Sequence, residues 1–239
     1  MSAKKLKLLV RKFINKIKVR GKGNKIKVRG KGNIIDIAPE DKPNFNFEII
    51  GDNNKIVVKK MANSGLDIVK VLLYGDNNEI FIDEGLYVSS GFNILIGQNH
   101  PNFGKVKNSK INISKNVSME SVEYVTFNSN TYCEIEDDCM FSYNIKLYNT
   151  DAHPIFDKTT GEIINKVKGI KIGKHSWIGY GVSILKNSIV PDNSIIGWQS
   201  VFTGTKTQPY CIFAGNPAKC IKENVTWDTN GAKTGYIEN

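Results

Sequence analysis

The segment IGKHSWIGYGVSILKNSIVPDNSIIGWQSVF, running from Ile172 to Phe202, decides the fold. Every sixth residue of it, Ile172, Ile178, Ile184, Val190, Ile196 and Phe202, is apolar. Four residues after each of the first five stand Ser176, Val182, Ser188, Ser194 and Ser200, all small. A helix repeats its apolar residues every three or four positions and a lone strand every two, so a period of six suits neither. It suits a chain that turns a corner after each short strand, with one aliphatic residue inside each flat and a small residue near each corner. Units of this kind stack into a solenoid, each coil burying its apolar row on the next.

Upstream, the register returns at Ile135, Phe141 and Leu147, with Cys139 and Ile145 on the intervening positions, whereas the spacing from Ile111 to Tyr132 is loose. Residues 154–169 hold a Thr159-Thr160-Gly161 turn and no hexad, which predicts a loop thrown out of the coil. Loops on a rigid scaffold are where ligand contacts gather. Near the N-terminus the nonapeptide NKIKVRGKG of residues 15–23 recurs residue for residue at 24–32. Looser echoes, Gly-x-x-Asn-x-Ile-x-(Val/Ile), start at Gly21, Gly30, Gly51 and Gly75. Each predicts a corner and then an alternating strand, because Gly and Asn tolerate the left-handed backbone of tight turns. The expected organisation is one all-β domain. Irregular early coils cover 15–110, with edge loops at about 38–46 and 60–66, and regular coils cover 111–207. A cap over 208–225 is built on the Ala214–Lys219 turn, and a polar, loose tail covers 226–239. A separate small β-domain near the N-terminus is the lesser alternative. Residues 1–14 read as a short basic amphipathic helix or arm, since Leu6, Val10, Phe13 and Ile17 follow helical spacing.

The formal net charge of +10 is unevenly placed. Residues 1–31 hold thirteen Lys or Arg and no Asp or Glu, leaving 20 basic against 23 acidic groups in the remainder. The basic end suits an anionic polymer or peripheral contact with an anionic membrane surface, or else is a solvated arm. The four cysteines, Cys133, Cys139, Cys211 and Cys220, form no CxxC pair and read as reduced, packed thiols. No apolar run is long enough to span a bilayer, and Lys7, Arg11 and Lys12 interrupt any signal-peptide core. The expectation is a cytoplasmic protein, at the inner face of the membrane if its basic end binds there, with no nucleic-acid partner.

The hexads resemble those of the left-handed parallel β-helix acyltransferases, with three hexads to a coil. Within that family Asp151-Ala-His153-Pro, then Trp177-Ile-Gly179, then Gly215-Asn-Pro-Ala-Lys219 resemble the bacterial galactoside, maltose and capsule or polysialic-acid O-acetyltransferases, over about residues 111–225. The resemblance implies a homotrimer with active sites between subunits, acetyl-CoA as co-substrate and no metal. It makes His153 the general base of a ternary complex without an acyl-enzyme, and a neutral imidazole titrates in the right range for that task. Asp151 would orient or charge-stabilise the imidazole, or else cap the loop. Trp177 would lie beside the thioester, or else pack between coils. The backbone N–H of Tyr180 is the family's candidate donor to the thioester oxygen. Gly179, Gly197 and Ser200 would give pantetheine access to the backbone, and Lys206, Lys219 and Lys222 are candidates for the coenzyme phosphates. Relatives usually carry small residues after the position of Gly197. Here Trp198-Gln199 follows, and Trp198 would stack on adenine or narrow the groove. His175 is expected to be structural or to line the CoA site, and Asn128 or Asn130 to touch the acceptor.

The expected reaction transfers an acetyl group to a hydroxyl of a bacterial surface carbohydrate: capsule, lipopolysaccharide O-antigen or sialic-acid polymer. An N-acetyltransferase of a nucleotide-linked amino sugar would need a nucleotide pocket that the sequence does not signal. A metal-dependent hydratase of the γ-carbonic anhydrase kind needs two closely spaced histidines, whereas His100, His153 and His175 are 53 and 22 residues apart. A non-catalytic scaffold would need neither the base, the tryptophan nor the cap.

Overall fold

A computed structural model describes residues 14–20, 23–38, 44–62, 68–100, 102–204 and 208–229. The described chain is all strand, turn and loop, wound into a parallel β-helix with three faces. The first face stacks Lys16–Val19, Ile34–Ile37, Lys55–Val58, Glu79–Ile82, Lys110–Ile113, Tyr132–Ile135, Gly169–Ile172 and Ile189–Val190. The second stacks the short strands Tyr87–Val88, Ser118–Met119, Met140–Phe141, Trp177–Ile178 and Ile195–Ile196, then Cys211–Gly215. The third stacks Lys25–Arg29, Asn44–Ile50, Ile68–Asp76, Phe92–Ile96, Val122–Thr126, Ile145–Tyr148, Ser183–Leu185 and Val201–Phe202. The short strand Val106–Lys107 pairs with Ile68–Asp76 beside this stack. From Glu79 onward the chain visits first, second and third face in turn, then climbs one coil; before that, the strands among the described residues alternate between first and third faces. Antiparallel Ala218–Glu223 closes the last end by folding back on Cys211–Gly215.

The hexad rule works as its spacing demands. Ile172, Ile178, Ile184, Val190, Ile196 and Phe202 are all buried, and Ser176, Val182, Ser188, Ser194 and Ser200 fill the corners beside them. The serines are small because the corner is tight, and polar because it strands backbone carbonyls. Ser176 Oγ donates to the Gly173 carbonyl at 2.8 Å and Ser188 Oγ to that of Phe202 at 3.2 Å. Cys139 takes a serine's place, its thiol 3.1 Å from the Gly173 carbonyl. Burial pushes that thiol up to about 12. Residues 111–132, whose spacing looks loose, also form a complete coil, with Ile111, Ile113, Val117, Met119, Val122 and Tyr124 all inside.

Facing residues on the first face give the length of each coil: 18, 21, 24, 31, 22, 37 and again 18 residues. Eighteen is three hexads with nothing added. The longest coil carries the excursion between Tyr148 and Gly169, at the edge where the third face turns into the first. There a hairpin joins Phe156 to Ile163, and the Asp157 carboxylate accepts the backbone N–H groups of Thr159 and Thr160 at 2.8 Å each.

Two expectations need correction. The echo asparagines do not occupy left-handed corners, except through their neighbours: Asn53 and Asn77 have positive φ. Asn33, Asn54 and Asn78 point inward instead, and each amide donates to the side-chain oxygen of the previous one (Asn15, Asn33, Asn54) at 3.0–3.2 Å. An amide can donate and accept at once, so the ladder satisfies itself in a buried column. The echo glycines are there for close approach: a Cβ on Gly30, Gly51 or Gly75 would stand 1.9–2.0 Å from the carbonyl oxygen of the next coil. The second correction concerns the tail, which is not loose at its start. Trp227 stacks on His175, with ring centres 4.3 Å apart and planes 8° apart. Its Nε1–H donates to the His175 carbonyl at 2.8 Å. The basic amphipathic helix expected over 1–14 lies outside the described residues apart from Ile14, and so does Lys206.

Candidate active site

The long excursion exists because the coil needs nothing between Tyr148 and Gly169, and it builds a cavity of about 450 Å³ against the solenoid. Asn128, Ser129 and Asn130 line one side, and Asp151, His153, Asn165, Lys166 and Val167 the other. The predicted base His153 is therefore on the wall of this cavity, together with both predicted acceptor-contact residues. Its exposed ring lies 6.0 Å, centre to centre, from that of Phe103, which packs on Phe127 at 4.8 Å. His100 touches the other part of the same cluster, 5.6 Å from Phe103.

The loop is held from both ends. Ala152 takes a left-handed φ of 62°, and its N–H donates to Thr150 Oγ1, which in turn donates to Asn128 Oδ1 at 2.7 Å. Asn165 ties the return strand to the histidine turn. Its Nδ2 donates to Asp151 Oδ2 at 2.7 Å and to the His153 carbonyl at 2.9 Å, while its Oδ1 accepts the Ile155 N–H at 2.8 Å. Asp151 Oδ2 also pairs with Lys186 Nζ at 3.1 Å, from the next coil. Of the two roles open to Asp151, the carboxylate makes the loop-holding contacts, and its bonds run to Asn165 and Lys186 rather than to the imidazole. Asn130 is turned partly aside, its Oδ1 accepting from Asn108 at 3.1 Å. No spacing or motif in the sequence marks Asn165, Lys186 or Phe103, because Lys186 and Phe103 reach this loop from other coils and Asn165 does so only once the excursion folds back on itself.

The remaining candidates gather elsewhere. Trp177 stands on the second face, about one-third exposed, with its ring 6.0 Å from that of Trp227. Gly179, Tyr180, Gly197 and Trp198 follow at the edge between second and third faces. A Cβ on Gly179 would come within 2.8 Å of the Ile196 carbonyl oxygen, so that position keeps the coils close together. Tyr180 and Trp198 meet edge to face at 5.3 Å, and Trp198 is largely in solvent. The Tyr180 carbonyl accepts from Gln199. Ser200 is buried, its Oγ accepting the Gly215 N–H at 3.0 Å, so its side chain secures the cap. Lys219 and Lys222 lie exposed on the closing strand. His175 is committed to the Trp227 stack, with its Nε2 3.1 Å from the Trp227 carbonyl oxygen.

Within one chain, then, His153 and the Trp177–Trp198 group occupy different edges of the prism. One edge carries an imidazole over a polar cavity, the other exposed aromatics and glycine backbone.

No family model matches the chain. It is 32% identical over 189 residues to the polysialic acid O-acetyltransferase of Neisseria meningitidis, covering 74% of this chain and 86% of that protein. It is 36% identical over 123 residues to that of Escherichia coli O1:K1 / APEC, covering 51% of this chain and 39% of that one. Among solved structures, the polySia-specific acetyltransferase NeuO superposes with a TM-score of 0.63 at 27% identity, over 91% of this chain and 89% of its own. The polysialic acid O-acetyltransferase OatWY superposes with a TM-score of 0.64 at 26% identity, over 90% and 91%. Hexads, fold and relatives agree: the chain is an acetyltransferase of the left-handed β-helix, hexapeptide-repeat class and belongs to the polysialic acid O-acetyltransferase family.

Proposed function

We propose that the protein transfers an acetyl group from acetyl-CoA to a hydroxyl of a sialic-acid-containing capsule polysaccharide, at sites formed between subunits of a homotrimer. The placement of His153 on the cavity wall carries this reading. The imidazole takes the proton of the acceptor hydroxyl as its oxygen attacks the thioester carbonyl carbon. The carbon–sulfur bond breaks, the proton passes to the departing thiolate, and the products are an acetyl ester and free CoA. The thioester oxygen gains charge in between, and the Tyr180 N–H is the donor assigned to it. A covalent route through Cys133 or Cys139 is disfavoured, because both are buried and burial holds both thiols far above neutral pH.

Two features support the trimer. The base and the proposed coenzyme groove lie on different edges of one prism, so a second copy is needed to complete the proposed site. The third face also carries a half-buried apolar column, Leu72, Leu95, Tyr148 and Leu185, on register with the buried Val125 that stands between Leu95 and Tyr148. A run of apolar residues on the outside of a β-helix is a surface for a partner, and in a closed symmetric assembly that partner is another copy. Lys219 and Lys222 are assigned to the coenzyme phosphates, with Trp198 at the adenine end. The exposed cations of the first coil, Lys16, Lys18, Arg20, Lys25, Lys27 and Arg29, favour an anionic polymer and a site of action at the inner face of the membrane.

Release of free CoA thiol from acetyl-CoA, with sialic-acid oligomers as acceptor, tests the reading. His153→Ala should lower the rate by about two to four orders of magnitude, the usual worth of a general base, while leaving acetyl-CoA binding intact. A variant with unimpaired turnover would remove His153 from the chemistry.

A further inference from the structure

The walls of the His153 cavity bear three ionisable side chains: Asp151, His153 and Lys166. Asp151 and Lys166 carry opposite charges, but no ion pair among the described residues joins them. The Asp151 carboxylate is already matched by Lys186 at 3.1 Å, a residue that does not line the space, and it accepts a further bond from Asn165. Lys166 is different. The ion pairs seen among the described residues, Lys105–Asp76, Lys171–Glu136 and Lys186–Asp151, do not include it. Its backbone is fixed on both sides: its carbonyl accepts from Asn187 Nδ2 at 2.9 Å, and the preceding Asn165 is bonded to Asp151, His153 and Ile155. The stem of Lys166 thus leaves from a held point beside the base, and with the Asp151 charge matched by Lys186 its ammonium leaves this wall net positive.

We infer that Lys166 is the specificity-determining residue of the acceptor site, reading the carboxylate of an acidic sugar whose hydroxyl is presented to His153. The inference rests on the carbohydrate-acceptor reading above and deepens it. A glycan that carries one carboxylate per sugar keeps an anion within one sugar unit of every hydroxyl. Pairing that anion with Lys166 would orient the hydroxyl as well as bind it. A lysine acts here as a compact point charge on a flexible stem, so the contact selects for charge and tolerates several linkages. Because the ammonium is exposed, its effect is that of a partly solvated pair, roughly fivefold in affinity.

The test compares wild type, Lys166→Met and Lys166→Arg on a sialic-acid oligomer and on the same oligomer with its carboxylates converted to amides. Wild type should favour the acidic oligomer roughly fivefold in kcat/KM, with the difference in KM. Lys166→Met should use both acceptors equally, and Lys166→Arg should keep most of the preference. Unchanged acetyl-CoA affinity, measured by calorimetry, shows that each variant is folded. A Lys166→Met enzyme that keeps the wild-type preference overturns the assignment. So does a variant whose KM rises for acetyl-CoA and not for the acceptor. Wild type that acetylates both oligomers equally well overturns the carboxylate contact and leaves the acetyltransfer reading standing. Wild type that acetylates neither overturns the acceptor reading and the assignment with it.

Discussion

Gly51 has the backbone and the surroundings that only glycine accepts. Its φ is 142°, and a Cβ would lie 1.9 Å from the Gly75 carbonyl oxygen. Gly51→Ala should therefore destabilise the early coils by about 2–4 kcal/mol, combining backbone strain with a clash that backbone must absorb. Thermal unfolding followed by circular dichroism would measure it, and a loss below about 0.5 kcal/mol, the range of ordinary surface substitutions, would mean the coils are looser than they look. This residue also shows what the sequence reveals and what it hides. The Gly-x-x-Asn echo is visible by inspection and correctly marks corners. Its chemistry is not, because the Asn33–Asn54–Asn78 amides contact each other across 21 and 24 residues. Only the coil lengths bring them into one column, and those lengths vary with loops that spacing does not predict. His153, in contrast, is marked along the chain by Asp151-Ala-His153-Pro154, and the structure sets it on the cavity wall.

At the scale of the element, the strap formed by Trp227 ties the second face together near its proposed coenzyme residue. The indole stacks on His175 and lies 6.0 Å from Trp177, so one side chain links the tail to two successive outward positions. Trp227→Ala should cost about 1–2 kcal/mol in stability, from lost stacking and apolar burial, and should raise the KM for acetyl-CoA more than it lowers kcat. Trp227→Phe keeps an aromatic face and loses only the Nε1–H bond to the His175 carbonyl, so it should recover much of both. Denaturant unfolding and steady-state kinetics on the pair would decide. An alanine variant as stable as wild type would make the contact incidental. The tail's composition conceals this element, since one tryptophan in a polar stretch has no period to announce it. The hairpin over 155–164 is legible for the opposite reason: the hexads stop and then resume, and an uninterrupted coil of 18 residues needs none of it.

At the scale of the whole molecule, the solenoid is the most legible feature, because six hexads in register demand a chain that turns a corner after each short strand, and the family resemblance implies three hexads to a coil. The proposed assembly is less so. Outward residues such as Leu95 and Tyr148 sit in strands whose inward neighbours are equally apolar, so the sequence reads as an undivided hydrophobic run. The consequence of assembly is nonetheless sharp. If His153 of one subunit serves the acetyl group held beside Trp177 of its neighbour, the two residues need not belong to the same chain. Subunits carrying His153→Ala and subunits carrying Trp177→Ala, each nearly inactive alone, can be unfolded together and refolded as mixed trimers. One interface in four then joins an intact histidine to an intact tryptophan, so thiol release should return to roughly a quarter of the wild-type rate. Mixed trimers, verified by mass, that stay at the level of the two parents would contradict the account and place the whole reaction within a single subunit.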